Sequence, residues 1–391
     1  MSVLGIVAEY DPFHNGHLHH LQEAVSAVSP AAVLVALSGV FKQRGEPALL
    51  SPFVRAEAAL SAGADAVVSL PLLWTVRDAE HYALGSVSLL ASLGVTHLAF
   101  GAETADLSLL RRTADLLEED PPALRETLRA SLSSGKGYPA ALSEAAGACV
   151  PESGAVLKHP NNILAVCYLR AVRRLGLPMV PVVIPRSGSY HADAVSPSGP
   201  SASAVRGALR RGSWQEALQS LPPASARVVR AAFLSGEIPD PKRIDALLLD
   251  RLRSLSPANA SRLPDCPEGL DAALLKAAAH AASREDLLAA LTTRRYPSAR
   301  ISRLCACALL GITAERLAGA QLPSCALLLG IKKNPKLSGS WNREGSARVL
   351  SPSQWRASAD PEDLAAFRLW GLCCGKGGDF PFTQKVISGS R

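Results

Sequence analysis

The chain has 391 residues, enough for two or three domains at roughly 150 residues each. Hydrophobic residues make up 48% and charged residues 19%, which supports a large core and excludes wholesale disorder. The formal charge of +7 is unevenly placed: residues 291–391 hold 15 basic and 6 acidic side chains, and the first 290 hold 26 and 28. A polyanionic partner is therefore expected at the C-terminal quarter.

No apolar run reaches the roughly 18 residues of a spanning helix, and Val3 to Ala8 is too short for a secretory leader. A cytosolic protein without membrane association is expected. The eight cysteines form no Cys-x-x-Cys pair and no His spacing completes a zinc site, so reduced thiols and no structural metal are expected.

In chain order, Val3–Ala8 reads as a buried strand, and Leu18, Leu21, Val25 and Val28 follow at helical spacing. Val33–Leu37 is a second strand and Arg55–Ala62 a second helix. Ala66–Leu70, Tyr82–Leu93 and His97–Phe100 continue the alternation. Such alternation gives an α/β fold: a doubly wound parallel sheet, with ligands at the carboxyl ends of its strands. Residues 105–175 read as mostly helical and Met179–Ile184 as a fifth strand. Ser187–Ser201 reads as a loop and Ala202–Arg211 as a short helix. From about 215 the pattern is helical, clearest at Asp271–Ala282, Glu285–Leu291 and Ser298–Leu310, with Cys325–Ile331 as one further strand. The expected division is a nucleotide-binding domain over 1–212 and a mostly helical, basic domain over 213–391.

One motif carries chemistry. The first strand runs into Val7-Ala8-Glu9-Tyr10-Asp11-Pro12-Phe13-His14-Asn15-Gly16-His17-Leu18-His19-His20, placing His14-x-Gly16-His17 at a helix N-terminus. Free N–H groups and the helix dipole favour a phosphate there. Gly16 lets the backbone approach it, and imidazoles at i and i+3 share one side of the first turn. A second segment, Ser201-Ala202-Ser203-Ala204-Val205-Arg206, follows the fifth strand, with a serine placed to cap the short helix it opens. There is no Gly-x-x-x-x-Gly-Lys-Ser/Thr, which excludes P-loop chemistry. Lys333-Asn334-Pro335-Lys336-Leu337-Ser338 is a weak decoy for the mobile lysine loop of class I synthetases.

The first motif resembles the HxGH signature of the nucleotidyltransferase superfamily, whose members attack the α-phosphate of ATP and expel pyrophosphate. The likeness narrows with Ser38-Gly39-Val40-Phe41-Lys42-Gln43-Arg44-Gly45-Glu46-Pro47, Phe100-Gly101-Ala102-Glu103, Tyr138-Pro139-Ala140-Ala141, Lys158-His159-Pro160-Asn161-Asn162-Ile163-Leu164 and Arg294-Arg295-Tyr296, in that order. Together these resemble the bacterial tRNA(Met) cytidine acetate ligase family across nearly the whole chain. That resemblance implies a ligase that forms N4-acetylcytidine at the wobble position of elongator tRNA(Met), through an acetyl-adenylate made from ATP and acetate. It also implies a nucleotide fold shared with class I aminoacyl-tRNA synthetases, and magnesium carried with the nucleotide.

Carried over by resemblance, Val7–His20 is the ATP loop, with His14 and His17 catalytic on the α-phosphate. Gly101 admits the nucleotide, and Asn161 and Asn162 read the base or ribose and tie down the loop. Arg186 and Ser187 follow the fifth strand near phosphate or adenine, and Ser203 and Arg206 serve the outer phosphates. Ser38 and Gly39 line an acetate pocket. Arg294, Arg295, Arg300 and Arg303, beside Tyr296, hold the tRNA phosphates. The family usually has Asn where Asp11 and Val40 stand; Asp11 either binds magnesium or weakens nucleotide affinity. Two other classes compete: a nucleotidyltransferase acting on a coenzyme precursor, and a non-catalytic, ATP-sensing RNA-binding protein. Tests with acetate and with tRNA separate them. Oligomeric state is left open.

Overall fold

The computed structural model describes residues 1–186, 201–267, 269–332, 341 and 346–389. Ser187, most of the loop expected over 187–201 and the lysine decoy at 333–338 lie outside the described residues.

Strands β1 (Val3–Ala8), β2 (Ala32–Ser38), β3 (Ala66–Leu70), β4 (His97–Ala102) and β5 (Val180–Pro185) pair in parallel in the order β5-β4-β1-β2-β3. Nearly continuous Val, Leu and Ala make strands that can be buried on both faces. Leu4, Ile6, Val35, Leu37 and Val67 pack with helices Asn15–Val28 and Pro52–Ala62. Their strand neighbours Val3, Leu34, Ala36, Val68 and Leu70 pack with helices Ala79–Ser92 and Pro160–Arg174. The order reverses between β1 and β4, which is where a doubly wound sheet opens a ligand crevice.

The sheet differs from the purely parallel one expected. β6 (Cys325–Lys332) adds antiparallel to β3, and β7 (Arg348–Leu350) and β8 (Ile387–Gly389) pair parallel with β6. Strands from both sides of position 212 thus share one eight-stranded sheet among the described residues. Alternation with helices predicts parallel pairing only where a crossover helix returns the chain; β6 arrives after a long helical excursion and is free to run the other way. That excursion has its own core, including Leu248, Leu252, Leu274, Leu287, Ile301 and Leu304. Among the described residues, no helix is long and apolar enough to cross a membrane.

Candidate active site

A cavity of about 920 Å³ opens at the carboxyl ends of β1 and β4, lined by Ile6 to Asp11, the HxGH turn, Phe100 and Gly101. Its size lies near the top of the range for ligand pockets, about 300–1,000 Å³. The cavity has room for more than one reactant.

His14 is the N-cap of helix Asn15–Val28. Its Nδ1 accepts from the Gly16 N–H at 3.1 Å, and the His17 Nδ1 accepts from the His14 N–H at 3.3 Å. This is a capping box built from two imidazoles. Both rings use Nδ1 as acceptor, so each neutral ring carries its proton on Nε2 and keeps it as a donor. The rings stack with centroids 3.6 Å apart, and a Cβ on Gly16 would meet the His14 ring at 3.1 Å. Burial, then Arg186 and Arg206, pushes the His14 pKa down to about 3. Burial and the neighbouring His14 hold His17 well below its usual value. Two neutral donors at a positive helix terminus suit a phosphate oxygen better than a proton-transfer task.

The side chains around this turn are locked from below. Asp11 is fully buried, and its two oxygens accept from the Leu49 and Leu50 N–H groups at 2.9 and 3.0 Å. In the structure Asp11 has a bracing role: it pins the loop before helix Pro52–Ala62. Arg55, also fully buried, donates to the carbonyls of Leu50, Glu9 and Gly39. The buried Lys42 ammonium bonds Glu46 at 2.5 Å and lies 3.9 Å from Asp11. Burial lowers the Lys42 pKa. Burial opposes ionisation of Glu46 as well, yet Lys42 and Arg206 bring its pKa down to about 2. Arg206 donates to the Asp11 carbonyl at 2.8 Å and to the Ser203 hydroxyl at 3.1 Å, which fixes its guanidinium at the cavity wall. Sequence reasoning gave Lys42, Glu46 and Arg55 no role. The first two sit in a quoted motif, but Arg55 reads locally as an ordinary helix residue.

The other expected residues divide. Gly101, Asn161, Arg186, Ser203, His19 and His20 line the cavity. A Cβ on Gly101 would press on the Arg186 side chain at 3.0 Å, so the missing side chain leaves Arg186 its place. Asn161 donates to Glu103 at 2.6 Å. Asn162 does not line the cavity. It is fully buried, accepts from the Thr104 N–H and donates to Thr104 Oγ1 and the Val156 carbonyl, tying the loop after β4 to helix Pro160–Arg174. Both asparagines lie within the first turn of that helix. Ser38 and Gly39, expected at an acetate pocket, do not line the cavity either. The Ser38 hydroxyl lies against the Tyr82 hydroxyl at 3.3 Å, and the Gly39 carbonyl is taken by Arg55. Tyr82, to which the sequence reading gave no role beyond opening a helix, is the cavity wall at that point.

The arginine cluster is closer than expected. Arg295, Arg300 and Arg303 line the same cavity, while Arg294 does not. Gly45 has φ of 77°, and a Cβ there would fall 2.6 Å from the Arg303 Cα, so the loop carrying Lys42 and Glu46 rests directly on helix Ser298–Leu310. Arg300 donates to the Asp265 carbonyl, and Arg295 and Arg300 both lie over the Tyr296 ring.

Three buried polar atoms without a partner among the described residues, Tyr10 Oη, His20 Nε2 and Arg303 Nε, belong to residues that line this cavity. Burying a polar group unpaired costs about 1–3 kcal/mol, and the polar side chains of this wall are not all satisfied within the described residues.

A family model described as HIGH Nucleotidyl Transferase matches residues 1–338. A tRNA(Met) cytidine acetate ligase of Syntrophomonas wolfei is 37% identical over 311 residues, covering 78% of this chain and 74% of the relative. The enzyme so named from Acetivibrio thermocellus is 32% identical over 376 residues, covering 92% and 91%. The crystal structure of Thermotoga maritima TmcAL bound with alpha-thio ATP superposes with a TM-score of 0.90 at 28% identity, covering 99% of each chain.

Proposed function

The chain belongs to the tRNA(Met) cytidine acetate ligase family, and from that premise we propose that it joins acetate to the wobble cytidine of elongator tRNA(Met) at the expense of ATP. An acetate oxygen attacks the α-phosphorus, and pyrophosphate leaves with the bond electrons. The N4 amine of the cytidine then attacks the acetyl carbon of the adenylate, loses a proton and expels AMP. Acetate is a poor acyl donor and an exocyclic amine a poor nucleophile, so the mixed anhydride is the intermediate the chemistry requires.

The observation that carries this reading is the double-imidazole cap. His14 and His17 offer two neutral Nε2–H donors at a helix N-terminus inside a cavity that also holds Arg186 and Arg206. Charge growing on the α-phosphate oxygens meets donors already in place, which is the largest contribution such sites make. No protein nucleophile is needed. ATP lies along the loop 7–20 in this reading, with Gly101, Asn161 and Arg186 toward the adenosine and Ser203 and Arg206 toward the outer phosphates.

Magnesium enters with the nucleotide only. Both Asp11 oxygens are taken by backbone N–H groups, and Glu9 Oε1 accepts from the Gln43 N–H at 2.9 Å. No group of three or more His, Cys, Asp or Glu among the described residues is placed to hold a metal ion. The carboxylates nearest the turn are thus engaged by the chain's own N–H groups, and magnesium would arrive held by the triphosphate. A cytosolic location suits a reaction on tRNA. Arg295, Arg300 and Arg303 bring the RNA backbone to the cavity mouth, so both half-reactions share one chamber.

Labelled acetate, ATP and magnesium should give pyrophosphate exchange before any tRNA is added, and tRNA should then discharge the label to a cytidine. Exchange that ignores acetate would point to a coenzyme-precursor nucleotidyltransferase. Absence of any exchange, with RNA still bound, would leave an ATP-sensing binding protein. Acetyl-coenzyme A serving as donor in place of acetate and ATP would end the ligase reading.

A further inference from the structure

Tyr138 opens helix Tyr138–Cys149 and is 56% exposed, more than any other Phe, Tyr or Trp among the described residues. It lines the same cavity as His14 and His17. Among the described residues, no hydrogen bond or ring contact holds its side chain. Other aromatics at this end of the molecule are engaged: Tyr10 packs on Phe13 and His17, and Tyr296 lies under two guanidinium groups.

Its position is held by backbone. A Cβ on Gly137 would run into the Arg294 carbonyl oxygen, so the Gly137 backbone is packed onto the segment that carries Arg294 and Arg295. The ring thus stands where the arginine-bearing rim meets the cavity. Partial burial, then the charges of Glu80, Arg170 and Asp78, act on its hydroxyl; Asp78 and Glu80 stand at the start of helix Ala79–Ser92. The groups assigned to the adenosine, Gly101, Asn161 and Arg186, stand instead at the ends of β4 and β5 and the start of the helix between them. Asp78 also lines the cavity, where it caps helix Ala79–Ser92 and pairs with His81 at 2.7 Å.

We propose that Tyr138 is the platform on which the acceptor cytidine stacks as it leaves the RNA loop and enters the cavity. An enzyme that acts on a base must take it out of its stack, and an exposed aromatic face replaces the stacking lost. Arg295 and Arg300 hold the flanking phosphates while the ring receives the base. This rests on the tRNA-cytidine reading above and adds to it a positioning residue for the second half-reaction.

The test uses the full chain and an anticodon-arm RNA carrying either the cytidine or an abasic site at that position. Binding is measured by anisotropy for the wild type, Tyr138→Phe and Tyr138→Ala. Removing the base should weaken binding to the wild type and to Tyr138→Phe by about ten- to a hundredfold, the usual contribution of one stacked base. Tyr138→Ala should lose the same factor with the intact arm and nothing more with the abasic one. Acetate-dependent ATP–pyrophosphate exchange should be retained in Tyr138→Ala. Losses that multiply, or an alanine variant that binds the intact arm as the wild type does, would overturn the platform. A raised KM for ATP in the exchange assay would assign the ring to adenine instead. If the wild type binds with this coupling yet transfers no acetate, the ligase reading fails and the base platform stands.

Discussion

The floor of the cavity and its rim use charge in opposite ways. At the floor, Asp11, Lys42, Glu46, Arg55 and Arg206 are satisfied by one another and by backbone groups, and most are buried. At the rim, Arg294 and Arg295 are exposed and Arg300 is half-buried, and no carboxylate pairs with any of the three among the described residues. Buried, saturated charge fixes geometry; exposed, uncompensated charge meets an outside anion and weakens with salt. Under the proposed function, the floor would hold one small triphosphate in one pose and the rim would receive a long polyanion.

The sharpest way to break the contrast is to remove a floor charge that touches no ligand. Arg55→Met would leave three buried carbonyls without their donor, and the expected loss is about 3–5 kcal/mol of stability. Chemical denaturation reads it; a loss below 1 kcal/mol would mean that the loop is held by something else. His14→Ala or His17→Ala should follow, with adenylate formation slowed by about 10²–10³-fold. Each also loses a cap, worth about 1 kcal/mol, so a modest drop in melting temperature should accompany the rate effect. Near-normal pyrophosphate release would remove the imidazoles from the phosphate site.

The rim is probed by changing Arg294 and Arg295 together to Ala. The log–log salt dependence of tRNA binding should flatten by roughly one unit per lost contact, with acetate-dependent exchange retained. If exchange falls while tRNA affinity holds, the two regions have been assigned the wrong way round. The smallest effect is expected from Asp11→Asn. One of two accepted hydrogen bonds is lost, costing about 1 kcal/mol, and the magnesium dependence of exchange should not move. A shifted magnesium requirement would show that this carboxylate touches the ion after all.

Much of this was legible in the sequence because buried parallel strands are continuous apolar runs, and β1 to β4 differ from their expected bounds by two residues at most. The HxGH turn was legible because a strand, a glycine and a helix surround it. What escaped were features with no local period. β7 and β8 are three residues each, too short to show alternation. The partners of Asp11 at Leu49 and Leu50, and of Arg55 at Glu9 and Gly39, lie in different segments of the chain. No pattern of neighbours distinguishes a buried Arg bonded to carbonyls from a solvated one. Asn162 shows the same limit: an asparagine beside a helix start fits both a ligand contact and a loop tie, and only the Thr104 contacts decide.

The helix Pro361–Cys373 joins distant parts of the molecule. Its Trp370 donates to the Ala48 carbonyl at 2.8 Å, and Asp363 accepts from the Leu72 N–H, across separations of 322 and 291 residues. Ala48 adjoins the two N–H groups that hold Asp11, and Trp370 and Phe367 belong to the core cluster beneath β1 and β2. A ribosome that has completed β5 has therefore already made both imidazoles of the cap, but not the wall against which their loop is braced. Contacts so distant along the chain form late and slowly. The cavity's early half, until then, keeps exposed the surfaces that its late half will cover.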